Sequence, residues 1–330
     1  MALFNDINAF KTHVGGAYSS SVKIESITSF INDAVLLVSE RIGKETADLL
    51  MGNDLTGKKA IAAGLFKSAV AWFTVNDYHS FDGVVKTENG LMRVETDTHK
   101  SAFKYQDTRY ESKAIVKAYS NLELLFKILF ENPTDFTEYR DSPERALNMS
   151  HYLNFTNDFR WARCIVPDRF TLESLLPYIS DIETFMVAPF LGETLNNSLM
   201  SKLYANDEPN PAKKQAQLAL IRLLQQGIAQ FAYHLAVVGN VIEFQGNRVF
   251  VREKVGNDDY STQKTPSFDI LTATYNQKRD WANRYFQRAE GFIRDNEAVF
   301  GDWQGFEVVE EETPTFETVF ENAHKRLKSL

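Results

Sequence analysis

The chain has 330 residues, 44% of them apolar and 24% charged, with a formal net charge of -8. That length and apolar content can bury a sizeable core and favour two domains over one, and the acidic balance argues against a protein that grips nucleic acid with clustered Lys and Arg. The single cysteine, Cys164, excludes an intramolecular disulfide and leaves too little thiol for a Cys-based zinc site.

The opening MALFNDINAFKTHVGG has no basic stretch leading into an apolar run. Nowhere do about 18 apolar residues stand together, so neither secretion nor membrane insertion is expected. The glycan-acceptor tripeptides NMS at 148, NFT at 154 and NNS at 196 are read as chance matches, since no export is expected. From residue 24, Ile24, Ile27, Ile31, Ala34 and Val38 recur at intervals of three and four, the stripe of an amphipathic helix. SSS at 19 to 21 supplies N-cap candidates, and Gly43 stands where the helix would end. A second long helix carries Ile61, Leu65, Ala69 and Phe73 on its packing face.

Next, VVKTENGLMRVE (84 to 95) reads as two extended runs around Asn89-Gly90, a dipeptide that tolerates the two positive φ angles of a tight hairpin turn. A polar stretch, HKSAFKYQDTRY, leads to a third helix, where Ile115, Ala118, Tyr119, Leu122, Leu125, Phe126 and Leu129 resume helical spacing. The segment closes on ILFENPTDFTEY, 128 to 139.

The chain then repeats itself. IESITSFINDA (24 to 34) matches LESLLPYISDI (172 to 182), with Asp33 against Asp181, at an offset of 148. IGKETADLLM (42 to 51) matches LGETLNNSLM (191 to 200), and GKKAIAAGLFKSAVAWF (57 to 73) matches AKKQAQLALIRLLQQGIAQF (212 to 231). The closing FIRDNEAVFGDW (292 to 303) repeats the acid-Asn, Phe, acid-aromatic cadence at an offset of 164. Collinear matches that include polar positions mark a duplicated module whose second copy has gained residues in its connections.

In that copy Leu172, Leu175, Ile179, Ile182 and Met186 form the first stripe, with Thr171 as the N-cap candidate and Gly192 at the helix end. Leu220, Leu224, Ile228, Phe231 and Leu235 form the second. VIEFQGNRVFVRE (241 to 253) turns at Gly246-Asn247, GNDDYSTQKTPS follows, and Ala282, Tyr285, Phe286, Ala289, Phe292 and Ile293 make the third. The expected fold is therefore mainly α: two tandem antiparallel helical bundles, each with a β-hairpin arm, plus a C-terminal amphipathic helix. The modules are expected over 1-139 and 155-303, joined by a linker at 140-154 and followed by an acidic linker and docking helix over 304-330. In that tail Thr313-Pro314 starts a helix whose Phe316, Val319, Phe320, Ala323 and Leu327 share a face. It is too short to be stable alone and needs its own second module or a neighbouring subunit to lie on.

No motif compels a catalytic reading. GNDLTGKK (52 to 59) spells a phosphate-binding loop except that Lys59 stands where a magnesium-holding Ser or Thr belongs, and a helical LLM precedes it in place of a strand. His13, His79, His99, His151, His234 and His324 show no metal-ligand spacing. Asp258-Asp259 and Glu310 to Glu312 lie in loop-like stretches, without the desolvation that tunes an acid against a base. Tyr105, Tyr110, Trp161 and Tyr260 lie beside basic residues in expected loops, where they could stack on bases. No enzyme, cofactor or metal is expected.

The order LESLLPYISDIETFMVAPFLGETLNNSLM, AYHLAVVGNVIEFQGNRVFV, WANRYFQRAEGFIRDNEAVFGDW resembles the head-to-tail connector (adaptor) proteins of tailed bacteriophages, especially those of phages and prophages of Bacteroidetes. The similarity spans about 155 to 303 and, more weakly, 4 to 139. It implies a virion protein, assembled in the host cytoplasm, that joins a ring of commonly about twelve copies. The ring's implied partners are the portal protein, sister copies and the next tail component, with packaged DNA passing close by. Duplication and the C-terminal helix depart from the simple family pattern. Candidate contact residues are Asn89, Gly90, Gly246 and Asn247 at the hairpin turns and Phe316, Val319, Phe320 and Leu327 in the tail. An adaptor elsewhere in a tail or in a contractile injection apparatus suits the same residues. A nucleotide-handling enzyme using 52 to 59 is the alternative from a different class.

Overall fold

The computed structural model describes residues 3–15, 22–79, 84–87, 90–93, 104–162, 166–204, 208–238, 242–245, 248–251, 268–301 and 303. Its contacts divide the chain into two units, Met1–Met149 and Ser150–Leu330, and both are mainly helical.

In the first unit, α1 (Ile7–Val14) starts where the Asp6 carboxylate accepts the N–H groups of Asn8 and Ala9 at 2.8 Å each, satisfying two donors that the first turn leaves open. It buries Phe10 and Val14 against α4 (Gly57–His79). The expected stripe folds as α2 (Ile24–Ile42), burying Ile27, Ile31, Ala34, Val38 and Ile42. Lys23 occupies its N-cap without a side-chain bond, and SSS at 19 to 21 lies outside the described residues. α4 packs on α2 and on α5 (Lys104–Glu131), with Phe73 edge-on to Tyr119 at 5.1 Å. Between α4 and α5, strands β1 (Val84–Thr87) and β2 (Gly90–Arg93) pair antiparallel, Val84 opposite Arg93 and Thr87 opposite Gly90.

The second unit repeats this order. A 3₁₀ stretch, Thr156–Ala162, buries Phe159 and Ala162 and lies on the second long helix as α1 does. Then come α8 (Arg169–Ile182), a π turn (Glu183–Val187), α9 (Ala188–Leu191) and α10 (Glu193–Lys202). The long helices α11 (Pro211–Val238) and α12 (Phe268–Asp295) pack on each other, and β3 (Ile242–Gln245) pairs with β4 (Arg248–Val251) between them. Short helices α3 (Lys44–Leu50), α6 (Thr137–Arg140), α7 (Pro143–Asn148) and α13 (Glu297–Phe300) fill corners of the two units.

The duplicated glycines make the same joint. Gly43 (φ 87°, ψ 143°) and Gly192 (φ 75°, ψ 157°) each end one helix and begin the next, in a backbone region that side chains disfavour. The repeated cadence is likewise a structural corner. Asn132 donates from Nδ2 to the Ile128 carbonyl at 2.7 Å, and Asn296 does the same to Phe292 at 2.8 Å. Four residues on, the N–H groups of Phe136 and Phe300 bond back to the Asn carbonyls at 3.2 Å, and both rings are buried. Three residues further, Tyr139 and Trp303 are buried as well.

The expected joining segment, residues 140–154, contains the division between the two units and is packed on either side of it; three other expectations need correction. Ser142 caps α7 by accepting the Arg145 N–H at 3.1 Å and Asn148 bonds the Arg41 carbonyl in the first unit, while Tyr152 and Leu153 enter the second unit's core. The N-cap of α8 is Asp168, which accepts the Thr171 N–H at 2.8 Å; Thr171 lies a turn inside and is buried. On α4 the buried face runs through Ala62, Phe66, Ala69, Val70 and Phe73, leaving Ile61 57% exposed and Leu65 half-buried. Finally, α5 begins at Lys104, so Tyr105 and Tyr110 are helical.

Candidate functional site

The segment 52 to 59 joins two helices. α3 ends at Leu50, α4 begins at Gly57, and Asp54 (φ 61°) and Gly57 (φ 57°) make the turn. A phosphate loop needs a strand feeding a helix N-terminus, and no strand precedes this one. The Lys58 ammonium instead donates to Asn132 Oδ1, in the amide whose nitrogen closes the last turn of α5.

A second constellation surrounds the entry to the second unit. Glu183, first residue of the π turn, accepts from the Tyr152 N–H through Oε1 and pairs with His151 Nδ1 through Oε2, both at 2.7 Å. The Tyr152 hydroxyl donates to Asn196 Oδ1 at 2.9 Å. Asp158 Oδ2 accepts the N–H groups of Asn154 and Phe155 at 3.0 and 2.9 Å. Arg169, 5% exposed, donates to the Asn154 carbonyl at 2.9 Å and to Glu173 at 3.2 Å. Gln225, Gln226 and Gln230 of α11 donate to the carbonyls of Tyr152, Trp161 and Ala162. Burial and the Glu183 charge push the Tyr152 phenol far above its usual range, so it stays neutral. These bonds clamp an irregular segment by satisfying its backbone groups, as burial requires. Sequence spacing missed Glu183, Arg169 and the three glutamines. The available signal was the run of polar residues on the otherwise apolar α11.

The three asparagines of the glycan-acceptor tripeptides have places in the fold: Asn148 bonds the Arg41 carbonyl, Asn154 is 3% exposed, and Asn196 receives Tyr152. In the first unit, burial raises the Asp77 carboxyl, a bond from Asn76 partly offsets this, and the neighbouring Asp33 charge raises it further. Asp181, the counterpart of Asp33, is raised by burial alone. His13 bonds Ser68 at 2.9 Å and is lowered by burial and by Lys67. His234 is fully buried and stacks on Phe231 with centroids 5.1 Å apart. No group of three or more His, Cys, Asp or Glu side chains among the described residues is arranged to hold a metal.

Of the expected contact residues, Gly90 begins β2; Asn89, Gly246, Asn247, Phe316, Val319, Phe320 and Leu327 lie outside the described residues, as do Cys164, His99, His324, Asp258, Asp259 and Tyr260. The Tyr110 and His79 rings meet at a tilt with centroids 4.7 Å apart, and Trp161 is 52% exposed beneath the Arg222 guanidinium, 5.0 Å from the ring centre.

A family model described as "Family of unknown function (DUF6712)" matches the chain twice, over residues 26–148 and 187–311. The chain belongs to this DUF6712 family. The two matches together span well over half the chain and agree with a duplicated helical module. A search of curated proteins and one of solved structures found no match. No helix among the described residues of this DUF6712 member is long and apolar enough to cross a membrane.

Proposed function

We propose that the chain is a structural virion protein forming a ring at the portal–tail junction of a tailed phage, a head-to-tail connector that extends the DNA channel and docks the tail. The observation carrying this reading is one helical unit built twice, with a strand pair inserted at the same place each time, between the second and third long helices. A two-stranded sheet is marginal alone in water, and its open edges acquire partners readily. The strand pairs therefore act as arms that clasp sister copies through the expected contact residues Asn89, Gly90, Gly246 and Asn247. The tail face of Phe316, Val319, Phe320 and Leu327 supplies an apolar contact to the assembly. With a net charge of -8, a channel wall built from this chain repels phosphate and lets DNA slide. The portal protein lies on one side of the ring and the next tail component on the other.

Sedimentation velocity and negative-stain microscopy of the full chain, over a range of concentrations, test the reading. Closed rings, or density directly beneath the portal in intact particles, are expected. A chain that stays monomeric throughout and is missing from purified virions refutes it.

A further inference from the structure

The buried stripes of the two first long helices differ by one step. In α2 the core residues are Ile27, Ile31, Ala34, Val38 and Ile42, spaced four, three, four and four. Their counterparts Leu175, Ile179, Ile182, Val187 and Leu191 are spaced four, three, five and four. The five-residue step coincides with the π turn Glu183–Val187, closed by the Ala188 N–H bonding the Glu183 carbonyl. It is also where the repeat offset rises from 148, at Ile24 and Leu172, to 149, at Gly43 and Gly192. A π turn holds one more residue than an α turn, so the extra residue of the second copy is housed there.

Housing it leaves two claimants for one core place. Where the first unit buries Val38, the second buries both Met186 (1% exposed) and Val187 (0%). With the bulge ahead of this pair, counting back from the glycine joint, Val187 takes the position of Val38. With the bulge behind it, counting forward from the first stripe, Met186 does. Methionine adapts readily to either packing.

We infer that this helix is a two-register element, latched in its present register by Glu183. Both carboxylate oxygens of Glu183, at the first position of the bulge, are held by His151 Nδ1 and the Tyr152 N–H at 2.7 Å. The first unit has Val35 at the corresponding position and no bulge. The latch couples the register to the segment entering the second unit, because the same bonds hold residues 151 and 152. Loss of the carboxylate unlinks that segment from the bulge and lets the bulge move toward Gly192.

The test uses the full chain with methyl-labelled methionine and hydrogen-exchange mass spectrometry. Wild type is expected to give one Met186 signal. Glu183→Ala is expected to split or broaden it and to speed exchange of the amides at 184 to 191 by at least about tenfold, as two charge-assisted bonds are lost. Deleting Thr184, which is exposed, removes the extra residue. The deletion variant, alone or with Glu183→Ala, is expected to fold, melt near wild type and give a single Met186 signal. Deleting Ser174 from the regular part of α8 should unfold the second unit. An unchanged Met186 signal and unchanged exchange in Glu183→Ala, or a Thr184 deletion as damaging as the Ser174 deletion, overturns the inference.

Discussion

Substituting Gly227 probes how closely the two longest helices of the second unit approach. A Cβ built at Gly227 on α11 falls 2.6 Å from Cε1, 2.8 Å from Cζ and 2.9 Å from Cδ1 of Phe286 on α12. Phe286 is fully buried, so its ring cannot swing into solvent and must push into its neighbours. Overpacking of this kind costs about 1–3 kcal/mol, against a helix-propensity gain for Gly→Ala of about 1 kcal/mol. With three ring carbons inside 3.0 Å the cost falls in the upper part of that range, about 2–3 kcal/mol, so Gly227→Ala should destabilise the second unit by about 1–2 kcal/mol net.

The first unit supplies the repair. With Phe73 set against Phe231 and Asn132 against Asn296, the counterparts of Gly227 and Phe286 are Ala69 and Leu122, both fully buried. Gly227→Ala combined with Phe286→Leu transplants that pair and should recover most of the loss, a coupling of about 1 kcal/mol or more. The assay is urea unfolding followed by tryptophan emission, since Trp161, Trp281 and Trp303 lie in the second unit and only Trp72 in the first. A neutral or stabilising Gly227→Ala, or a double variant weaker than the single, would refute the steric argument.

Other perturbations have equally definite outcomes. Gly43→Ala and Gly192→Ala each force a side chain into the positive-φ joint and should cost about 1–3 kcal/mol in urea unfolding; at Gly43 the new Cβ also meets Glu144 Oε2 at 2.9 Å. Asp77 has a raised carboxyl pKa in the folded chain, so its contribution favours the fold below the unfolded pKa and is lost as pH rises through the folded one. Asp77→Asn should accordingly stabilise the first unit at neutral pH, with the advantage over wild type shrinking in acid melts. Asn296→Ala removes the bond to the Phe292 carbonyl and should cost about 0.5–1.5 kcal/mol by the same unfolding assay. Deleting residues 313 to 330 should weaken ring assembly in sedimentation; rings that survive while only monomer stability falls place the tail on its own subunit.

Much of the architecture was legible because it rests on periodicity. The stripes through Ile27 and Leu175, the glycines at 43 and 192 and the Asn–Phe corners each follow from a local rule that holds twice. Features that depend on tertiary surroundings were not. Ile61 satisfies the spacing of α4 yet sits on its exposed side. Thr171 was a reasonable cap by residue type, but Asp168 begins the helix a turn earlier. The segment 140–154 looked like a linker because its polar residues resemble solvated ones; several of them are donors and acceptors spent on backbone groups inside each unit. The π turn was written in the sequence as a change of offset by one, and only paired buried stripes reveal what that step means.

Trp303 carries a mechanical consequence. Its indole N–H donates to the Phe190 carbonyl at 2.8 Å while its ring lies 5.6 Å from that of Phe190, two residues ahead of the Gly192 pivot. Tension applied to the chain beyond this tryptophan is therefore shared between α13, through the backbone and the Trp303 N–H bond to the Phe300 carbonyl, and the bend between α9 and α10.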